Sequence, residues 1–153
     1  FSNIYASLCM RNINDFEVLR ANLLKSHPRF PPEQAAHFLN GKEGDAWPVT
    51  SSLGEFVIAL PKGMKLCAVY ARRATQDDVE RKFVDLVSVA PTPLQSEKRT
   101  DEKRNTDSNG EAHTIVFVWG LPTVKRKLMF ALTTSAKEDA QIQAYATATV
   151  ISE

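Results

Sequence analysis

An α+β fold, helices first and a mainly antiparallel sheet after them, is predicted by three features of this 153-residue chain. In the first 40 positions apolar residues recur at helical spacing. From about residue 54 they alternate instead, as in a strand. In the last third, three strand-like runs follow one another through connections too short for a parallel crossover, which leaves antiparallel neighbours.

The elements follow in order. Ile4, Tyr5 and Leu8 suggest a first helical turn or two. Asn14 can cap the next helix, Glu17 stands three residues on as in a capping box, and Phe16, Leu19, Leu23 and Leu24 form an apolar stripe; the spacing predicts a helix over 14–26. His27-Pro28 ends it. Pro31-Pro32 opens a shorter helix with Ala35, Phe38 and Leu39 inward, and Gly41 supplies its terminating position. After "NGKEGDAWPV" the period changes: "EFVIALP" and "KLCAVYARR", joined by "KGM", read as a β-hairpin whose strands are apolar on both faces and therefore covered or central. Thr75 and Asp78 then start a third substantial helix carrying Val79, Phe83, Leu86 and Val87 inward.

Residues 91–113 hold two prolines, no aromatic residue, and four basic against five acidic side chains. That composition predicts a solvated, mobile loop, and residues 95–110 are expected to tolerate shortening because they have little to bury. Beyond it "HTIVFVWGL", "RKLMFALTTS" and "QAYATATVIS" form a meander. The length suits one ordinary domain spanning 1–153.

Composition narrows the function classes. Hydrophobic residues at 43% and charged residues at 24% fit a globular chain rather than a disordered one, and no apolar run approaches the roughly 20 residues of a membrane-spanning helix. A net charge of +1 supplies no long-range field to gather nucleic acid or an anionic membrane, so neither is expected as a partner and binding must use local patches.

The two cysteines, Cys9 and Cys67, could be a disulfide, a nucleophile with a spare, or two buried thiols. A nucleophile needs a base within reach, and no local signature ties His27, His37 or His113 to either cysteine. The chain also starts at Phe1 rather than Met, which fits removal of a leader and fits equally a boundary chosen within a longer chain, and an exported chain pairs its cysteines. A Cys9–Cys67 bond in a periplasmic or secreted protein is the expectation. It would contribute about 4 kcal/mol in the chain-entropy model and pin the N-terminal segment to the sheet.

The histidine, cysteine and carboxylate spacings match no metal site, and the glycines match neither phosphate-binding loop; no metal and no cofactor are expected. Two cationic clusters carry more weight. Arg72 and Arg73 end one strand, and Lys125, Arg126 and Lys127 open another, so they would form a single basic rim for an acidic partner if those strands were antiparallel neighbours. Edge protection is the competing reading. Trp47 and Trp119 are candidates for stacking on a ligand, with core packing as the alternative.

The stretches "FLNGKEGDAW" and "VIALPKGMKLCAVYARRA" resemble segments of small exported proteobacterial proteins with no assigned activity. The resemblance covers the middle third of the chain and implies export alone. With no catalytic constellation in view, the sequence reads as a binding module for a protein: an inhibitor, an immunity protein, or an accessory factor of an envelope or secretion machine. The alternative is a small-ligand sensor with a PAS-like or profilin-like sheet. A closed apolar cavity would favour the sensor, and a solid core the protein binder.

Overall fold

Seven strands form one sheet in the order β1-β2-β3-β7-β6-β5-β4, antiparallel throughout, in a computed structural model that describes residues 1–153. The strands are β1 Gly44–Ser51, β2 Gly54–Pro61, β3 Leu66–Ala71, β4 Gln95–Thr106, β5 Gly110–Gly120, β6 Arg126–Ser135 and β7 Ala144–Ser152. The helices are α1 Ser2–Ile4, which continues as a π-helical turn over Tyr5–Met10, then α2 Phe16–Ser26, α3 Pro32–Ala35 with a 3-10 turn over Ala36–Phe38, and α4 Gln76–Val87. The α+β class and the hairpin, helix and meander order stand as expected.

Helix α2 is capped one residue later than its sequence suggests. Asp15, not Asn14, accepts from the amides of Glu17 at 3.1 Å and Val18 at 3.3 Å. A carboxylate at that position satisfies two orphan donors and complements the helix dipole.

Two strands replace what the sequence presented as connections. β1 contains Pro48, which removes a ladder donor, and β1 lies at the sheet edge where that loss is tolerated. The amide of Phe30 donates to Ala46 O at 2.9 Å, so the segment between α2 and α3 partly covers that edge. β4 occupies most of the expected mobile loop, and that expectation is corrected: Gln95 through Thr106 pair with β5 from Gly120 back to Gly110, with one bulge between Lys98 and Thr100. Its charged residues suit the other sheet edge, where charge and a bulge discourage pairing with further strands.

The helices α1, α2 and α4 pack on one face. Trp47, Ile58, Val69, Ala146, Phe130 and Phe117 from six strands meet Tyr5, Leu19 and Phe83 in one core. Full burial of a large apolar side chain contributes roughly 1.5–3 kcal/mol, so this face holds most of the stability. The Tyr5 hydroxyl donates to Thr147 O at 2.6 Å, and Cys9 is bonded to Cys67 with Cα atoms 5.4 Å apart, across 58 residues of sequence. The bond removes the nucleophile and free-thiol readings of those cysteines.

Candidate functional site

The second face of the sheet is covered unequally. Over β1–β3, Ala35 of α3 and Leu39 just after the following 3-10 turn lie on Ala46, Ala59 and Ala68, and Phe30, Phe38, Tyr70 and Tyr145 close the margin. Small strand residues let α3 approach closely. Over β5–β7, strand register places Val116, Ala131 and Thr147 in one row and Val118, Met129 and Thr149 in the next. No helix contributes to these rows. Val116, Ala131, Met129 and Thr149 are half-buried, in contact with their strand neighbours and open above. Glu97, Thr100, Glu102 and Arg104 of β4 border this bare face, being register partners of Val118, Val116, Thr114 and Ala112.

At one end of the face the side chains step down in size. Tyr70, Tyr145, Thr133 and Thr114 lie side by side across β3, β7, β6 and β5. The two tyrosine rings stack with centroids 4.6 Å apart, and Phe38 meets Tyr70 edge-on at 5.2 Å. Where rings give way to threonines, a cleft of about 250 Å³ opens, bounded also by Asn40, Asn109 and Ala112. The Tyr70 hydroxyl donates to Phe38 O at 3.0 Å. Burial first, and Tyr145 second, push the Tyr70 phenol above the ordinary tyrosine range, so both rings stay neutral at physiological pH.

On the helical face, a polar clasp joins α4 to the last strands. His113 Nδ1 lies 2.9 Å from Glu80 Oε1 and its Nε2 lies 2.7 Å from Asp101 Oδ1. Thr134 donates to the same Glu80 oxygen and receives Gln76 Nε2 at 3.1 Å. Burial alone would lower the His113 pKa; hydrogen bonds and charge from Asp101 and Glu80 outweigh it and raise the value. Asp101 is held below its ordinary range by His113 first and then Lys98. With both ring nitrogens committed, His113 has no free position for a substrate proton, and the cluster acts as a structural tie. Residues 80, 101 and 113 are far apart in sequence with no motif spacing, so the cluster was invisible there.

Arg72 and Arg73 do not form one rim with Lys125, Arg126 and Lys127. β3 and β6 both run antiparallel to β7, with Ala71 opposite Ala144 and Arg126 opposite Ser152, which separates the clusters along the strands by roughly 26 Å. Several of these cations also have structural partners: Arg73 donates to Ala140 O at 2.6 Å, Arg126 to Asn14 Oδ1 at 3.1 Å, and Lys127 to Leu121 O. Arg72 and Lys125 are exposed.

Neither tryptophan offers a ring to a ligand. Trp47 has 0% of its surface exposed and lies in the core. Trp119 packs edge-on against Phe130 at 4.6 Å and donates from Nε1 to Val87 O at 2.6 Å, locking the end of α4 to β5. His27 and His37 sit exposed on the surface. The bare face and the tyrosine cleft were missed because their residues, mostly Thr, Ala and Val, read as ordinary strand positions. No helix is long and apolar enough to cross a membrane. No protein-family model, no curated protein and no solved structure matches the chain.

Proposed function

We propose that this chain is a non-catalytic, exported binding module that docks a protein partner through the bare face of β5–β7. The observation that carries the reading is the unequal covering of one sheet face: Val116, Met129 and Ala131 form a shallow apolar surface that no element of the chain covers, with Val118 buried at its margin. Threonines surround it and the charges of β4 form its border, an apolar centre with a polar rim, as protein interfaces have. A rigid sheet needs little reordering on binding, which limits the entropic cost. Arg72 at one end and Lys125 at the other act as separate peripheral charges rather than as one acidic-partner site.

Export is supported by the Cys9–Cys67 bond, since such bonds persist in oxidising compartments. The protein-binding reading outweighs the sensor reading because the interior is filled by interlocking side chains and the clefts open at the surface.

The test is site-specific photo-crosslinking in the native envelope. A crosslinker at Met129 or Val116 should give one discrete adduct, and one at Val18 on the opposite side of the molecule should give none. Mass spectrometry then separates a second copy of the chain from another protein. Equal labelling at all three positions would remove the reading.

A further inference from the structure

We propose that the cleft between Tyr145 and Thr133 is a subsite for a single neutral pyranose ring. The proposal is independent of the protein-docking reading, because it uses the tyrosine end of the face and not Val116 or Met129.

The chemistry of the lining selects the ligand. No Asp, Glu, Lys, Arg or His lines the cleft, so an anion or cation would lose its hydration without gaining a counter-charge. A wholly apolar guest fails for a different reason. It would cover the Asn40 and Asn109 amides without replacing their bonds to water, which costs affinity for each group left unsatisfied. A sugar ring meets both conditions. Its C–H face lies on a tyrosine ring, and its hydroxyls reach amides at the rim.

The rim is preset for that role. Asn109 Oδ1 accepts from the Gln141 amide at 3.1 Å, which fixes the side chain and leaves Nδ2 for a ligand. Asn40 sits at φ 50°, in the left-handed region that asparagine tolerates better than most residues, and Gly41 at φ 74° follows. This tight turn places Asn40 at the margin of the cleft that Tyr70 and Tyr145 line. The tyrosine wall is stiffened by the edge of Phe38 against Tyr70, and Phe38 in turn stacks on Phe30 at 5.8 Å. At about 250 Å³ the cleft falls below the roughly 300–1,000 Å³ of sites for larger ligands, so it holds one ring and not a dinucleotide or a lipid.

The experiment titrates ¹⁵N-labelled protein with methyl glycosides of glucose, galactose and N-acetylglucosamine, with uridine as a neutral planar comparison and methyl glucuronide as a charged one. At least one neutral glycoside should produce saturable shifts confined to the Asn40 and Asn109 side-chain amides and the backbone around Tyr145. Methyl glucuronide should bind more weakly than the glucoside. Tyr145→Ala should weaken binding about tenfold, the order expected for loss of a stacking ring. Asn109→Ala should weaken it severalfold and guards against a misfolded Tyr145 variant, while Met129→Arg should leave it unchanged. A tighter fit for the matching oligosaccharide would assign the site to a glycan chain, and equal affinity to a free sugar. The proposal is overturned if no glycoside gives localised shifts, if uridine alone does, or if Tyr145→Ala and Asn109→Ala both bind as wild type.

Discussion

Ala68 and Ala131 are both register neighbours of Thr147, on the same face of the same sheet, yet Ala68 is 2% exposed under α3 while Ala131 is half-open. The contrast extends to the two halves of the molecule. The β1–β3 half is covered on both faces and stapled by Cys9–Cys67. The β4–β6 half is covered on one face and tied to α4 by polar clasps from Ser96, His113 and Trp119. One half is built for persistence and the other presents a surface. A face without a cover costs apolar burial, and edge strand β4 recovers part of that by pairing along the whole of β5.

The largest effect should come from removing that edge. Replacing residues 95–110 by a Gly-Ser turn deletes β4, uncovers the ladder of β5, and removes the Lys98 ammonium from above the Phe117 ring at 5.9 Å and the Ser96 hydroxyl from Val87 O at 2.7 Å. Loss of cooperative thermal unfolding, or a fall of about 10 °C or more, is expected by calorimetry, since each kcal/mol moves the melting temperature by roughly 2–4 °C in a chain of this size. A melting temperature within 2 °C of wild type, on the same scale, would mean that β4 contributes no support.

The same substitution placed on the two halves sharpens the contrast. Ala68→Arg forces a charge beneath α3 and should cost several kcal/mol or prevent folding, because a buried guanidinium without a partner is not tolerated. Ala131→Arg places the same group above an open face and should stay within about 0.5 kcal/mol. Denaturant melts of the pair decide the point. Similar losses in both would mean that the β5–β7 face is packed against something as closely as the α3 face is.

These contrasts mark what the sequence could disclose. The helices, the hairpin and the meander were legible because their apolar periods, 3.6 and 2, are set by one-sided burial. β4 was illegible for the converse reason: its partner ladder is backbone, and charges such as Lys103 and Arg104 suit both a solvated loop and a protected edge. A signal was present in "TDSNG" at 106–110, a turn-rich stretch that closes the β4–β5 hairpin. The single basic rim failed because strand order, not strand content, decides which ends meet. The sequence offered no way to see that β7 would insert between β3 and β6. The disulfide was legible since two cysteines pair in only one way.

Breaking the staple should affect the covered half next most strongly. Cys9→Ser with Cys67→Ser should cost about 4 kcal/mol, or roughly 8–16 °C, by releasing the loop-closure constraint on the unfolded chain. Hydrogen exchange should rise in the N-terminal helical turn and the adjoining β3 while β5 and β6 keep their protection. Uniform loss of protection across the sheet would show that the two halves unfold as one unit.

The smallest effect, and the one specific to the open half, concerns pH. His113 faces Glu80 from α4 and Asp101 from β4, with Lys103 opposite it in register and Lys98 paired to Asp101 at 3.0 Å. Its folded pKa is raised from 6.5, so the charged clasp stabilises fully below that value and fades as pH rises through the folded pKa. Asp101 is lowered from 3.8, so its share is present above that value and is lost as pH falls through the folded one. The clasp is therefore strongest from about pH 4 to pH 6.5. In that window His113→Gln should melt on the order of 3 °C below wild type, and the gap should narrow toward pH 9 as the wild-type imidazole loses its charge. A gap that stays constant from pH 5 to pH 9 would mean that the tie is held by neutral hydrogen bonds, and that protonation does not adjust how firmly α4 grips the β4–β6 half.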